Sequence, residues 1–216
     1  MTTESLTAAG TALAAESARF ASLGWMPGTA GNLSVTLARD PLRLAVTASG
    51  LDKGELSAHD IVLVDEAGEW VPDDGSSPTA TLGLATKPSA EAGLHARIVA
   101  VTGAGAVIHV HALAAVRAGH AWPGGVVLHD LEMLKGIGHS AHGETVVIPV
   151  VQNHQDMRVL GDDFVGAYLP ATSTVREVPA LIVADHGIYA WGADLRQARW
   201  HLELTEALLQ IALATR

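Results

Sequence analysis

The stretch Ala106-Val107-Ile108-His109-Val110-His111 organises the reading of this chain. Alternate residues of a β-strand point to one face, so two histidines with one residue between them stand side by side. Val107, Ile108 and Val110 give the segment strand character. Neutral imidazole is a good ligand for zinc and related divalent metals. Two ligands need a third, and Asp185-His186-Gly187 is the best candidate for it. That tripeptide ends the apolar run Ala180–Ala184, where ligands commonly emerge from a sheet, and Gly187 is expected to supply the sharp turn.

Outward from that strand, the pattern predicts interleaved helices and strands. A helix is expected over about Glu4–Leu23, with Leu6, Leu13 and Phe20 on one side and Gly24 as its cap. Strands follow at Leu42–Thr47 and Ile61–Asp65, then a loop over Ala67–Pro88. A second helix starts near Pro88-Ser89 and carries Glu91, Leu94, His95 and Ile98. Further strands are expected at Gly125–Leu128, Thr145–Val151 and Ala180–Ala184. The last helix opens at Asp194, with Gln197 completing a capping box. No internal repeat or linker interrupts the chain. The expectation is one α/β domain over residues 1–216 with a mixed or antiparallel central sheet.

Composition narrows the function. The chain has 216 residues and no cysteine, so disulfides, thiolate metal sites and cysteine nucleophiles are excluded. Three histidines with open coordination positions form a catalytic rather than a structural pattern. The net charge of -10 argues against nucleic acid or an anionic membrane as partner. No apolar run reaches membrane-spanning length and the N-terminus does not read as a secretory signal, so a cytoplasmic protein is expected. The three lysines, Lys53, Lys87 and Lys135, each lie inside a motif segment. That coincidence points to a site for a charged small molecule.

Three segments could hold a phosphate: Gly31-Asn32-Leu33-Ser34, Thr47-Ala48-Ser49-Gly50 and Lys87-Pro88-Ser89-Ala90-Glu91. Glycine permits close backbone approach, serine and asparagine supply short polar arms, and a helix N-terminus favours negative charge. None is a nucleotide P-loop or a dinucleotide fingerprint. Glu132 and Glu91 are the candidate proton carriers. Glu132 and Lys135 also have the spacing of a helical ion pair. His95 reads as a core histidine. His139, His142 and His154 receive no role.

Gly31-Asn32, Thr47-x-Ser49-Gly50, Pro88-Ser89-x-Glu91, His109-x-His111 and His186-Gly187, in that order, resemble the class II aldolase/adducin family over essentially the whole chain. Other features resemble its methylthioribulose-1-phosphate dehydratase branch. They are Gly50-x-Asp52-Lys53, Lys87-Pro88-Ser89-Ala90-Glu91, Glu132-Met133-Leu134-Lys135-Gly136, Ile148-Pro149 with Asn153, and His186-Gly187-Ile188-x-x-Trp191-Gly192. Ala90 departs from the aldolases, which often carry a second serine there. The resemblance implies an α/β/α sandwich around a mainly antiparallel sheet, assembled as a homotetramer. It implies one divalent metal per subunit, Zn2+, on His109, His111 and His186. It further implies a phosphorylated sugar held by Asn32, Ser49, Gly50, Lys87 and Ser89, with Glu132 as proton carrier and Glu91 as second choice. The implied reaction is dehydration of 5-methylthioribulose 1-phosphate to 5-methylthio-2,3-dioxopentyl 1-phosphate. A sugar-phosphate aldolase or epimerase on the same scaffold, and a non-catalytic module like the adducin head, are the alternatives.

Overall fold

The computed structural model describes residues 3–72, 87–168 and 178–215. Two compact units divide the chain, Met1–Val110 and His111–Arg216, and the boundary falls inside the His-x-His run.

The first unit holds α1 (Thr3–Ser22), β1 (Asn32–Arg39), β2 (Leu42–Thr47), β3 (Ile61–Val64), α2 (Ala92–Thr102) and β4 (Ala106–Val110). Its strands run antiparallel in the order β3-β2-β1-β4. Helix α1 follows its apolar stripe: Leu13 and Phe20 are fully buried, and Gly24 takes a left-handed φ of 74° just beyond its end. Strand β4 is buried along its whole length, His109 included.

Strand β1 corrects the expected strand set, which begins only at Leu42. Asn32 begins the strand and stands opposite His109 in β4. Polar Asn32, Ser34 and Thr36 alternate with apolar Leu33, Val35 and Leu37, a strand period that the turn chemistry of Gly31-Asn32 obscures. The buried polar face survives because it is bonded: Ser34 Oγ lies 2.7 Å from His95 Nδ1. The expected loop after β3 is borne out in its described part, which folds back so that Val71 N–H donates to Leu63 O. Residues 73–86 of that loop lie outside the described residues.

The second unit holds α3 (Leu113–Ala121), β5 (Val126–His129), β6 (Thr145–Ile148), β7 (Val150–Val151), α4 (Met157–Tyr168), β8 (Ala180–Val183), β9 (Gly187–Gly192) and α5 (Leu195–Ala214). β5 and β6 form an antiparallel pair. β9 and β8 are antiparallel, whereas β8 and β7 are parallel, so pairing here is mixed, while the strand pairs of the first unit are all antiparallel. The single strand expected over Thr145–Val151 is two. Pro149 has no N–H for a ladder, so the chain changes partners there, from β5 to β8. α5 starts on the expected N-cap, with Gln197 N–H donating to Asp194 Oδ1 at 2.8 Å, but the Gln197 side chain accepts from Ala193 N–H at 2.7 Å rather than from Asp194 N–H, so the reciprocal bond of the capping box falls one residue early.

The turn between β8 and β9 is a second correction. Asp185, not Gly187, adopts the left-handed conformation, with φ 54°. Aspartate tolerates that region better than most side chains. His186 N–H closes the turn on Val183 O, and Gly187 already pairs with Val183 in the ladder. Among the described residues no helix is long and apolar enough to cross a membrane.

Candidate functional site

His109 is the fourth residue of β4 and is 0 % exposed. His111 lies two residues on, just past the strand, and is half-buried. His186 sits at the turn into β9, and its ring meets that of His111 edge-on with centroids 4.7 Å apart. Each of the three histidines offers one ring nitrogen, and these nitrogens all lie within 4.8 Å of one another. In a tetrahedral zinc site with Zn–N near 2.0–2.1 Å, nitrogen pairs are about 3.4 Å apart. An all-imidazole set of three matches a catalytic divalent-metal site with coordination left for substrate.

A carboxylate stands beside this set. Glu91, at the start of α2, places Oε2 3.5 Å from His109 Nε2, and its side chain is 15 % exposed. The same oxygen accepts from Asn32 Nδ2 at 2.5 Å. Sheet register explains the meeting: Asn32 faces His109 across the β1–β4 pair. His95, one turn along α2 from Glu91, is not a ligand. It is fully buried against Ser34, and burial pushes its pKa down to about 4 despite the pull of Glu91.

Glu132 has a different setting. It opens a short 3-10 turn, Glu132–Ile137, and its exposed carboxylate accepts from Lys135 Nζ at 2.7 Å. That hydrogen bond and the lysine charge hold its carboxyl below the usual range. The pairing suggested by the spacing is therefore present.

The three phosphate-candidate segments converge within the first unit. Leu33 N–H donates to Thr47 Oγ1 at 3.1 Å, joining the start of β1 to the end of β2. Ala48 forms an antiparallel bridge with Pro88, and Ser49 N–H donates to Lys87 O at 2.9 Å. Gly50, at φ 75°, opens on free space, and Ser49 is exposed. Ser89 Oγ accepts from Glu91 N–H at 3.3 Å and so shapes the turn into α2. Among the described residues Asn32 Oδ1 is buried without a hydrogen-bond partner, an acceptor left over once its amide has bound Glu91. Gly31 has to be glycine: at φ 78° an added Cβ would lie 2.8 Å from His109 O.

The lysines do not gather as their motif positions suggest. Lys87 is exposed, Lys135 is engaged by Glu132, and Lys53 is buried against backbone carbonyls. Their shared location in motifs is a sequence coincidence with three separate structural outcomes.

The class II aldolase and adducin N-terminal domain model matches residues 11–213. A methylthioribulose-1-phosphate dehydratase of Sulfurihydrogenibium sp. is 36 % identical over 190 residues, 87 % of this chain and 81 % of that protein. The enzyme of the same name from Pectobacterium atrosepticum is 37 % identical over 198 residues, covering 89 % of this chain and 87 % of that one. Among solved structures, an L-fuculose-1-phosphate aldolase from Thermus thermophilus superposes with a TM-score of 0.68 at 24 % identity. It covers 98 % of this chain and 95 % of the aldolase, and it establishes the shared fold.

Proposed function

The chain belongs to the class II aldolase/adducin family, and from that membership we propose that it is a lyase that removes water from 5-methylthioribulose 1-phosphate. The carrying observation is the identity to methylthioribulose-1-phosphate dehydratases over most of both chains. The three-imidazole set supports a metal-dependent version of that chemistry. The family match runs through both compact units, which supports reading residues 1–216 as one catalytic domain. The proposal extends to a cytoplasmic homotetramer with one Zn2+ per subunit, as the family resemblance implies.

His109, His111 and His186 would hold the metal. When bound, a divalent ion there supplies Lewis acidity toward the substrate C2 carbonyl. The remaining work falls to side chains. Asn32, Ser49, Gly50 and Ser89, with Lys87 nearby, hold the phosphate and fix the sugar carbons relative to the histidines. Glu132, whose carboxylate accepts from Lys135 Nζ, takes the C3 proton. The C4 hydroxyl then leaves with a proton as water, and the C3 enol becomes the second ketone. Glu91 is the second reading for the proton carrier, favoured by its contact with His109.

One preparation tests the reaction and its metal dependence. The purified protein is analysed for metal and assayed against methylthioribulose, fuculose and ribulose phosphates. Water loss from the first alone supports the dehydratase. Carbon–carbon cleavage of the others moves the function to an aldolase. A metal-free protein without turnover revives the adducin-like module. Glu132→Gln is expected to keep the metal and lose about 10²–10⁴-fold in rate; a near-normal rate moves the role to Glu91.

A further inference from the structure

We propose that Lys53 is a positioning residue for the phosphate cradle: its buried ammonium laces the turn before Asn32 to the turn after Ser49 and brings a positive charge to both. The inference rests on the reading of Asn32, Ser49 and Gly50 as phosphate-binding residues.

Lysine is rarely buried unless paired. Lys53 is 1 % exposed. Its Nζ donates to Leu51 O at 2.8 Å and to Thr29 O at 3.2 Å. Its backbone N–H donates to Gly28 O at 3.2 Å. Two of these bonds, to Thr29 O and Gly28 O, join turns more than 20 positions apart in the chain, and the third holds the ammonium within its own turn. Each turn leads directly into candidate ligands: Thr29 is followed by Gly31-Asn32, and Leu51 follows Ser49-Gly50.

The lacing reaches the metal-ligand strand through close packing. Gly31 lies so near His109 O that no side chain fits between them, and Asn32 pairs opposite His109. A shift of the Gly28–Gly31 turn therefore moves Asn32 relative to His109. On the other side, Ser49 N–H is tied to Lys87 O, so the Ser49 turn carries the third segment with it. The Lys53 side chain bonds to both turns at once.

Charge points the same way. Burying an ammonium is costly when only neutral carbonyls face it. Burial pushes the Lys53 pKa down, and the acid that opposes this is its exposed neighbour Asp52, whose Oδ1 accepts from Gly54 N–H. Two of the three ammonium protons are used by carbonyls. A phosphate dianion in the adjoining turns would complete the neutralisation, which gives a reason for a lysine rather than an apolar residue at this position.

The test uses the metal-loaded full-length enzyme and inorganic phosphate as probe. In Lys53→Met the KM for the phosphorylated substrate and the inhibition constant of inorganic phosphate should rise together, by about 10- to 100-fold. The kcat should stay within about threefold and the metal content should not change. An unchanged KM and phosphate constant, or a fall in kcat alone, overturns the role, provided Ser49→Ala still weakens phosphate binding. If phosphate does not inhibit the wild type and Ser49→Ala has no effect, the cradle reading fails, and the lysine role fails with it. Should Lys53→Met not fold, ¹⁵N-lysine spectra of the wild type decide. The buried Nζ signal, one of only three lysines, must move when phosphate is added, and a static signal refutes the proposal.

Discussion

Glu91 is held between Asn32 and His109. One carboxylate oxygen accepts the Asn32 amide at 2.5 Å and lies 3.5 Å from His109 Nε2. β1, α2 and β4 each supply one of these residues, or its immediate flank, so the cluster reports the packing of the whole first unit. Asn32→Asp would place a second carboxylate beside Glu91. Like charges at that distance raise a carboxyl pKa. The acid limb of the pH–rate profile should move upward and the rate at neutral pH should fall about 10-fold or more. A profile that superposes on the wild type would show that this contact does not matter to turnover.

The metal reading has its own test. His186→Ala removes one of three imidazole donors and should lose bound metal and activity together, while far-ultraviolet circular dichroism stays close to wild type. Stoichiometric metal retained in this variant would defeat the three-histidine assignment. Chelation should abolish activity reversibly, and re-addition of the divalent ion should restore it.

His95 makes stability depend on pH. Folded, it titrates at about 4; unfolded, it returns to 6.5. Between these values the unfolded chain binds the extra proton, so acid favours unfolding. The contribution is fully present above pH 6.5 and is lost as pH falls toward 4. Its ceiling is about 3 kcal/mol by linkage. Urea unfolding at stepped pH should show this slope, and His95→Gln should flatten it. An equal slope in the variant would assign the acid sensitivity elsewhere.

Glu206 secures the helix that follows His111. Only 2 % exposed, its two carboxylate oxygens accept from Ala114 N–H at 3.0 Å and Ala115 N–H at 3.1 Å, at the start of α3. Burial raises its pKa against the opposing pull of those N–H groups. Glu206→Ala leaves both donors unsatisfied and should destabilise the protein by about 2–4 kcal/mol in urea unfolding. Glu206→Gln keeps an acceptor and should cost less. Equal, small losses in both variants would show that the cap carries little stability.

Several elements are legible in the sequence because their signal is local. α1, β2 and α5 follow from periodicity and capping residues whose geometry depends only on near neighbours. Strand β1 escapes such a reading because Gly31-Asn32 carries turn chemistry immediately before a regular alternation. Strand β9 escapes it although Ile188–Trp191 is buried throughout. Buried on both faces, it lacks the polar alternation that marks a half-exposed strand. The left-handed residue of the β8–β9 turn is Asp185 rather than the expected Gly187. Glycine is the commoner residue in that conformation, but the actual position depends on the β8–β9 register.

Sequence alone marked His109 and His111 as a pair spaced for one face of a strand, although β4 ends at Val110 between them. It also determined that any metal must be held without thiolate. Tertiary structure decided the fate of residues whose partners lie far along the chain. It set Glu91 beside His109 and left the Glu132–Lys135 pair at the surface. It also turned Lys53 inward onto two carbonyls. Backbone periodicity acts over a few residues, whereas these placements depend on strand register and loop closure, which no single segment encodes.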